Sequence, residues 1–277
     1  MTTTTTATPP RRTSSIPAGA ATLPRVIRSE WTKFWSLRST WWTLLIAFVV
    51  TIGFATLIAW GASRSLNQMS AQDRATLDVT SISLAGVAFG QLAFAVLGAL
   101  IVAGEYSTGG IKTTFVAVPN RLRVMLAKTL VFSVVAWVCA TVAAFVSFFV
   151  AMRFWSPHHL ATSLSTPGVL RAVFGAGLIA LASGLLGLAL GALIRHTAGS
   201  ITAAIALLFV VPPLTNLLPG DWGRAISSRF TTNAGQHITE VVHVPGQMHP
   251  WPGYLWMLAE CLIPLLVGAW LVRRRDA

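Results

Sequence analysis

The sequence predicts an all-α integral membrane protein with six transmembrane helices, an N-terminal amphipathic helix at the membrane interface, and both termini in the cytosol. Two observations support this fold class. Hydrophobic residues make up 54% of the 277 positions and charged residues only 10%, whereas about 25% of residues in soluble proteins are charged. The apolar residues also come in runs of about 20, the length that a helix needs to cross a hydrocarbon core of about 30 Å.

The chain divides into a tail at residues 1–23 and a single transmembrane domain at residues 24–277. The tail is rich in Thr, Pro, Ser and Ala, a low-complexity composition that predicts disorder. In residues 24–38, apolar residues recur at helical spacing and therefore share one face. A basic helix with tryptophans on one face is typical of a segment that lies in the membrane interface. The residues of this face are Ile27, Trp31, Phe34 and Trp35.

Six apolar runs follow, and each predicts a transmembrane helix. The fourth run contains Gly187 and Gly191, a pair of small residues that lets two helices approach closely in lipid. Pro212 and Pro213 interrupt the fifth run. Proline has no backbone N–H, and lipid offers no hydrogen-bond donor in its place. We expect a bend there and then short, partly re-entrant helices in residues 219–250, with a plain loop as the alternative. The approximate bounds of the runs are residues 41–60, 80–103, 129–152, 170–194, 198–218 and 251–272.

The basic residues predict the orientation, because cytosolic loops of membrane proteins are enriched in Lys and Arg. With the N-terminus in the cytosol, 14 of the 20 basic residues lie on the cytosolic side and 6 lie outside. Both termini are therefore expected on the cytosolic side of the cell membrane, with residues 104–128 as a cytosolic loop and residues 219–250 as an outer loop. The net charge of +12 lies at the ends of the apolar runs, so we do not expect nucleic acid to bind. The cytosolic loop closes on Arg121, Arg123 and Lys128.

Several motifs resemble binding or catalytic sites but lack a required feature. The stretch STGGIKTT at Ser107–Thr114 has Ile111 where a phosphate-binding loop requires a glycine directly before the lysine. His237, Glu240 and His243 are poorly spaced to share a metal from one helix face. No nucleophile-elbow or zinc-protease motif occurs in the sequence. We therefore expect no enzyme activity, no metal and no cofactor on this chain.

Glu260 lies near the middle of the sixth run, where a carboxylate is costly and a function or a partner is expected. It either faces a transport path or a dimer seam, or it is a protonated group that is hydrogen-bonded within the bundle. The sequence leaves both interpretations open.

Two motifs resemble those of a known family. Glu30, Trp31 and Lys33 form a Glu-Trp-x-Lys motif near the start of the interfacial helix. The first cytosolic loop begins with GEYSTGGIKTTF at Gly104–Phe115 and continues to a Pro-x-Arg motif. Together the motifs resemble the membrane-spanning permease subunit of type 2 ABC exporters, over a region from about Pro24 to the C-terminus. The loop residues that match are Glu105, Gly109, Gly110, Pro119 and Arg121.

This resemblance implies a permease that moves a substrate out of the cell while a separate ABC ATPase subunit binds magnesium and hydrolyses ATP. It also implies a dimer, formed with a second copy or with another permease. Glu30–Arg38 would be the connecting helix, and Gly109–Arg121 would be the coupling helix that rests on the ATPase. A bundle that alternates between two states needs such a rigid element to carry movement to its helices.

We further predict that Glu105 holds the coupling helix against the rest of the bundle through charge-assisted contacts. The candidate partners are Arg28, Lys33 and Arg121. An apolar patch on the coupling helix is expected to fill a groove on the ATPase. The residues of this patch are Ile111, Phe115 and Val116.

Two other functions stay open. An ion-gradient-driven secondary transporter needs several charges within its spans, and the sequence offers essentially Glu260 alone. A membrane anchor or sensor for a partner protein is the other alternative. The sequence does not indicate the transported substrate.

Overall fold

The computed structural model describes residues 22–242 and 246–274. Within these ranges all regular secondary structure is helical, and six helices are long and apolar enough to cross a membrane. The prediction of an all-α protein with six candidate spans is therefore confirmed. The candidate spans are Arg38–Gln68, Val79–Ser107, Arg121–His158, Val169–Ile194, Thr197–Thr215 and Pro250–Arg274. Most of the predicted tail lies outside the described residues, as do Arg11, Arg12, His243 and Arg275.

Thirteen α-helices make up the described part of the chain, and short 3-10 or π segments join some of them. In order they are α1 (Leu23–Ser36), α2 (Arg38–Ser65), α3 (Ala71–Ala75), α4 (Val79–Leu84), α5 (Val87–Ser107), α6 (Gly110–Ala117), α7 (Arg121–Trp155), α8 (Val169–Ile194), α9 (Thr197–Ile205), α10 (Val211–Thr215), α11 (Gly220–Arg229), α12 (Thr231–Gly235) and α13 (Pro250–Arg274).

Several spans are longer than the apolar runs that predict them. The clearest case is α7, which begins at Arg121 although its apolar run begins at about residue 129. Asn120 caps this helix, because its side chain accepts a hydrogen bond from the Arg123 backbone N–H at 3.2 Å. The helix therefore starts at a capping signal in the polar segment, whereas hydropathy marks only its apolar part.

Helix α8 is the centre of the bundle. In its most apolar stretch 78% of residues are buried within the protein, against 28% for the spans that contain α2 and α13. It packs against α5, α7 and α13. The predicted close approach at Gly187 and Gly191 is confirmed, because a Cβ atom on Gly187 would lie 1.9 Å from the Ala95 carbonyl oxygen of α5.

The outer helices expose large apolar side chains, as helices that face lipid do. This surface runs along α2, α7 and α13, on the sides that do not pack on α8. Its members include Trp42, Val49, Leu57, Val134, Leu255 and Leu266.

Helix α1 lies against the bundle and ends at Ser36, and Leu37 adopts an extended conformation before α2 begins. Its buried residues are Val26, Glu30 and Phe34. The inward face thus differs from the predicted apolar face, because Trp31 is exposed and an acidic residue is buried. This burial requires a partner for Glu30, since a buried charge is costly without one.

The prediction for the segment after the fifth span is confirmed in its secondary structure. The backbone is π-helical at Ala206–Val210, directly before the two prolines. Because Pro212 has no N–H, the Leu208 carbonyl loses its usual helical donor, and the Thr232 hydroxyl lies 3.5 Å from it instead. Residues 219–250 then contain α11, α12 and a 3-10 turn rather than a plain loop.

Candidate functional site

Four charged side chains meet where α1, α5 and α7 come together. We call Glu30, Lys33, Glu105 and Lys128 the ion-pair cluster. Lys128 Nζ lies 2.7 Å from Glu30 Oε2 and 2.5 Å from Glu105 Oε1. Lys33 Nζ also contacts Glu105 Oε1. The cluster holds two positive and two negative groups, so its formal charges balance.

The ion-pair cluster is largely shielded from solvent. The side chains of Lys128 and Glu30 are only 2% and 8% exposed, and that of Glu105 is 12% exposed. Buried charges interact strongly because the surroundings screen them weakly, but each ion costs several kcal/mol of desolvation. Such a group of charges therefore favours one relative position of its three helices, and removal of one member strands its partner.

The secondary structure explains why these residues meet. Glu105 lies in the last turn of α5 and Lys128 lies two turns into α7. Helix α1 packs against α7 and contributes Glu30 and Lys33 from successive turns of the same side. The cluster thus joins the N-terminal helix to the ends of two candidate spans.

Of the three alternative partners predicted for Glu105, the structure shows Lys33 of α1 in contact with it. The contact with Lys33 is confirmed, whereas Arg28 is exposed on α1. Arg121 instead donates to the Val272 carbonyl oxygen of α13 at 3.3 Å. The sequence does not predict Lys128 as a partner, because a lysine at the start of an apolar run is also the ordinary signal of a cytosolic boundary.

Helix α6 occupies the middle of the predicted coupling segment. Only Thr108 and Gly109 separate it from α5, and Gly109 has a φ of 74°, a left-handed conformation that suits glycine. The helix ends at Ala117, two residues before Pro119. A short helix is thus attached to the end of α5 through a sharp turn, close to Glu105.

The apolar patch predicted on α6 is divided in the structure. Ile111 is only 4% exposed, so it packs within the chain and is not available to a partner. Phe115 is half-buried against Val26 and Val124, which fixes α6 to α1 and α7. Val116 is 83% exposed and is the outward-facing member of the three. The spacing of residues in the sequence could not show which side of α6 is buried, because that side is covered by α1, which is distant in the chain.

The end of α5 has a second set of contacts that the sequence reasoning missed. The Ser107 and Thr197 hydroxyl oxygens lie 2.6 Å apart, which joins α5 to the start of α9. The guanidinium of Arg195 lies 4.9 Å from the centre of the Tyr106 ring, within the range of a cation–π contact. The two residues that follow Glu105 therefore connect the α5 terminus to the turn between α8 and α9.

Glu260 is hydrogen-bonded within the bundle. Its Oε2 atom accepts from the Thr231 backbone N–H at 2.6 Å, and its Oε1 atom accepts from the Trp256 indole at 3.1 Å. Both oxygens thus have donors from the same chain, and the carboxyl group holds the first residue of α12 against α13. These contacts match the hydrogen bonding within the bundle that the second interpretation of Glu260 predicts.

The outer segment is held in place by polar contacts. Asp78 Oδ2 accepts from the backbone N–H groups of Val241 and Val242 at 2.6 and 3.0 Å. His237 Nδ1 lies 2.9 Å from Glu240 Oε2, so these two residues pair with each other. Among residues 22–242 and 246–274 no group of three or more potential metal ligands occurs.

Two cavities adjoin this segment. One of about 710 Å³ lies under α11, and one of about 520 Å³ extends to Gln91 of α5. Both are lined by Asn216, Asn233 and Gln236. Hydrogen-bonding groups therefore extend from the end of the bundle towards the middle of a candidate span.

No model of a known protein family matches this chain, and no curated protein matches it significantly. The six candidate spans indicate a multi-pass membrane protein.

Proposed function

We propose that this chain is the permease subunit of an ABC exporter and that α6 is its coupling helix. The ion-pair cluster is the observation that carries the proposal. It links the turn before α6 to α1 and α7, so a push on α6 is passed to two candidate spans and to the N-terminal helix. The closely packed contact between α5 and α8 extends this connection to the centre of the bundle.

In this proposal the N-terminus, α6 and the C-terminus face the cytosol, as the distribution of basic residues predicts. Helix α1 lies in the cytosolic membrane interface as the connecting helix. A separate ATPase subunit binds ATP and magnesium and contacts the exposed side of α6. The permease works as a dimer with a second copy or with another permease.

The exposed side of α6 is the surface proposed to bind the ATPase. It carries Lys112, Thr113 and Val116, while Ile111 and Phe115 hold the helix on the bundle. An aspartate at position 116 would place a charge in the contact without disturbing the packing of α6. A change at Phe115 would be less informative, because it would also remove contacts within the chain.

The test compares Val116→Asp with Gln72→Asp, a matched charge on the exposed side of α3. Each tagged chain is purified from its native membranes in a mild detergent, and ATP-binding chains that accompany it are labelled with 8-azido-ATP. We expect a labelled chain with the wild type and with Gln72→Asp. We expect at least about a tenfold loss of it with Val116→Asp, which corresponds to about 1.4 kcal/mol of binding free energy.

Two results would contradict the proposal. A wild-type chain that carries no ATP-labelled partner would favour the secondary transporter or the anchor. Equal labelling for Val116→Asp and the wild type would show that this side of α6 does not contact the ATPase. The melting temperature of each purified variant shows whether the bundle itself is intact.

A further inference from the structure

A cavity of about 320 Å³ lies beside the ion-pair cluster, between α1, α2, α5 and α7. The four charged residues of the cluster line one part of it. Apolar side chains line most of the remainder, among them Leu37, Leu100, Ile101 and Val131, and the hydroxyl-bearing residues Ser39, Thr40 and Thr108 also contribute. The volume is within the range of sites that bind small ligands, about 300–1,000 Å³. A molecule that fits this cavity needs both a charged part and an apolar part.

One atom of the cluster is left without a hydrogen bond. Glu105 Oε1 contacts both Lys33 and Lys128. Glu105 Oε2 is buried and has no hydrogen-bond partner among the described residues. A buried carboxylate oxygen without a donor is destabilising, and native proteins rarely leave one. The group that would complete the site is therefore a hydrogen-bond donor, and a cation is favoured over a neutral donor.

The terminal torsion of a glutamate side chain is broad. The Glu105 carboxylate can therefore turn an oxygen towards a donor in the cavity while the other oxygen keeps the lysines. Lys33 is the most exposed member of the cluster, with 37% of its side chain exposed. A lysine ammonium has three N–H donors, so Lys33 can contact Glu105 and an anionic group of a ligand together.

The cavity also lies at the level where the candidate spans begin and end. Helix α2 starts at Arg38 and α5 ends at Ser107. Trp41 and Trp42 are exposed near the start of α2, as is typical of residues at the level of lipid headgroups. A lipid molecule can therefore enter from the side, with its headgroup at the cluster and its chains along the apolar wall.

We propose that this cavity binds a zwitterionic lipid with a primary ammonium group, the headgroup chemistry of phosphatidylethanolamine. The ammonium donates to Glu105, the phosphate accepts from Lys33, and the start of an acyl chain lies against Leu100, Ile101 and Val131. Phosphatidylcholine has no N–H group to donate, and phosphatidylglycerol has no cation. The proposal concerns the bilayer alone and does not depend on an ATPase partner.

The test is native mass spectrometry of the purified full chain with equal amounts of phosphatidylethanolamine, phosphatidylcholine and phosphatidylglycerol of the same acyl composition. We expect phosphatidylethanolamine to bind at least about tenfold more tightly than either of the others. Dodecylamine, a free alkyl ammonium without phosphate, is added as a competitor. We expect it to displace the lipid only weakly, because it lacks the contact to Lys33.

Ile101→Trp fills the cavity and should abolish the preference for phosphatidylethanolamine. Leu130→Trp, on the exposed side of α7, is the matched control and should keep it. Equal binding of phosphatidylethanolamine and phosphatidylcholine to the wild type would overturn the proposal. An unchanged preference for phosphatidylethanolamine in a folded Ile101→Trp chain would also overturn it. Displacement of phosphatidylethanolamine by dodecylamine at equal concentration would do the same. If Ile101→Trp does not fold, the comparison of the three lipids on the wild type decides alone.

Discussion

Replacement of Lys128 by methionine should destabilise the protein strongly. Methionine keeps most of the side-chain length but removes the ammonium that contacts Glu30 and Glu105. Glu105 keeps Lys33 as a partner, whereas Glu30 has no other ion-pair partner among the described residues. A carboxylate that is 8% exposed is then left without an opposite charge.

The magnitude follows from this burial. Removal of one partner of a buried ion pair costs about 3–5 kcal/mol, because the remaining charge is stranded away from water. For a chain of this size that free energy lowers the melting temperature by about 6 °C or more. Glu30→Gln should destabilise the wild type but should stabilise the Lys128→Met chain, because it removes the stranded charge there. The effect of Glu30→Gln on stability changes sign in this way only if Glu30 and Lys128 pair directly.

The assay is thermal unfolding of the purified proteins in one detergent. The four proteins compared are the wild type, Lys128→Met, Glu30→Gln and the double variant. Lys112→Met is the control, since Lys112 is exposed on α6 and should change stability by no more than about 0.5 kcal/mol. Equal melting temperatures for Lys128→Met and Lys112→Met would show that Lys128 does not hold a buried ion pair. An equal effect of Glu30→Gln on the melting temperature with and without Lys128 would show that these two residues do not pair directly.

Two further predictions concern packing and Glu260. Gly187→Ala should cost about 1–3 kcal/mol by overpacking, since its Cβ would lie 1.9 Å from the Ala95 carbonyl. Gly53→Ala is the control, because a Cβ atom there would have no other atom within 4 Å, and it should be neutral or stabilising by up to about 1 kcal/mol. Equal melting temperatures for Gly187→Ala and Gly53→Ala would argue against the close contact between α5 and α8. Glu260→Gln leaves one acceptor for two donors and should cost about 1–3 kcal/mol. Trp256→Phe, which removes one donor, should cost less, and an unchanged melting temperature in Glu260→Gln would show that these contacts do not hold α12.

The six candidate spans could be predicted from the sequence because burial in a membrane depends mainly on local composition. A run of about 20 apolar residues is costly in water wherever it occurs in a chain. The irregularity before Pro212 is local too, since proline removes a donor for the carbonyl four residues earlier. The pair Gly187 and Gly191 predicted a close helix contact, but only the structure identifies α5 as the partner.

The ion-pair cluster depends on how distant parts of the chain pack. Glu105 and Lys128 lie at the two ends of one loop, and the sequence indicates that both are charged residues near a membrane boundary. Their pairing with each other and with Glu30 requires α1 to lie across α7, which no local pattern encodes. The burial of Ile111 has the same cause, because the bundle covers one side of α6.

Local sequence patterns were enough to predict the fold class, the candidate spans and a short helix after α5, because hydropathy, capping residues and helix breakers act over a few turns. The packing of the helices was needed to identify Lys128 as the shared partner of Glu30 and Glu105, the exposed side of α6 and the positions of the cavities. Those properties depend on distances between residues that are far apart in the chain. Charge pairing is especially sensitive to these distances, since the same two side chains form a buried ion pair at 2.7 Å and interact only weakly through water when they are separated.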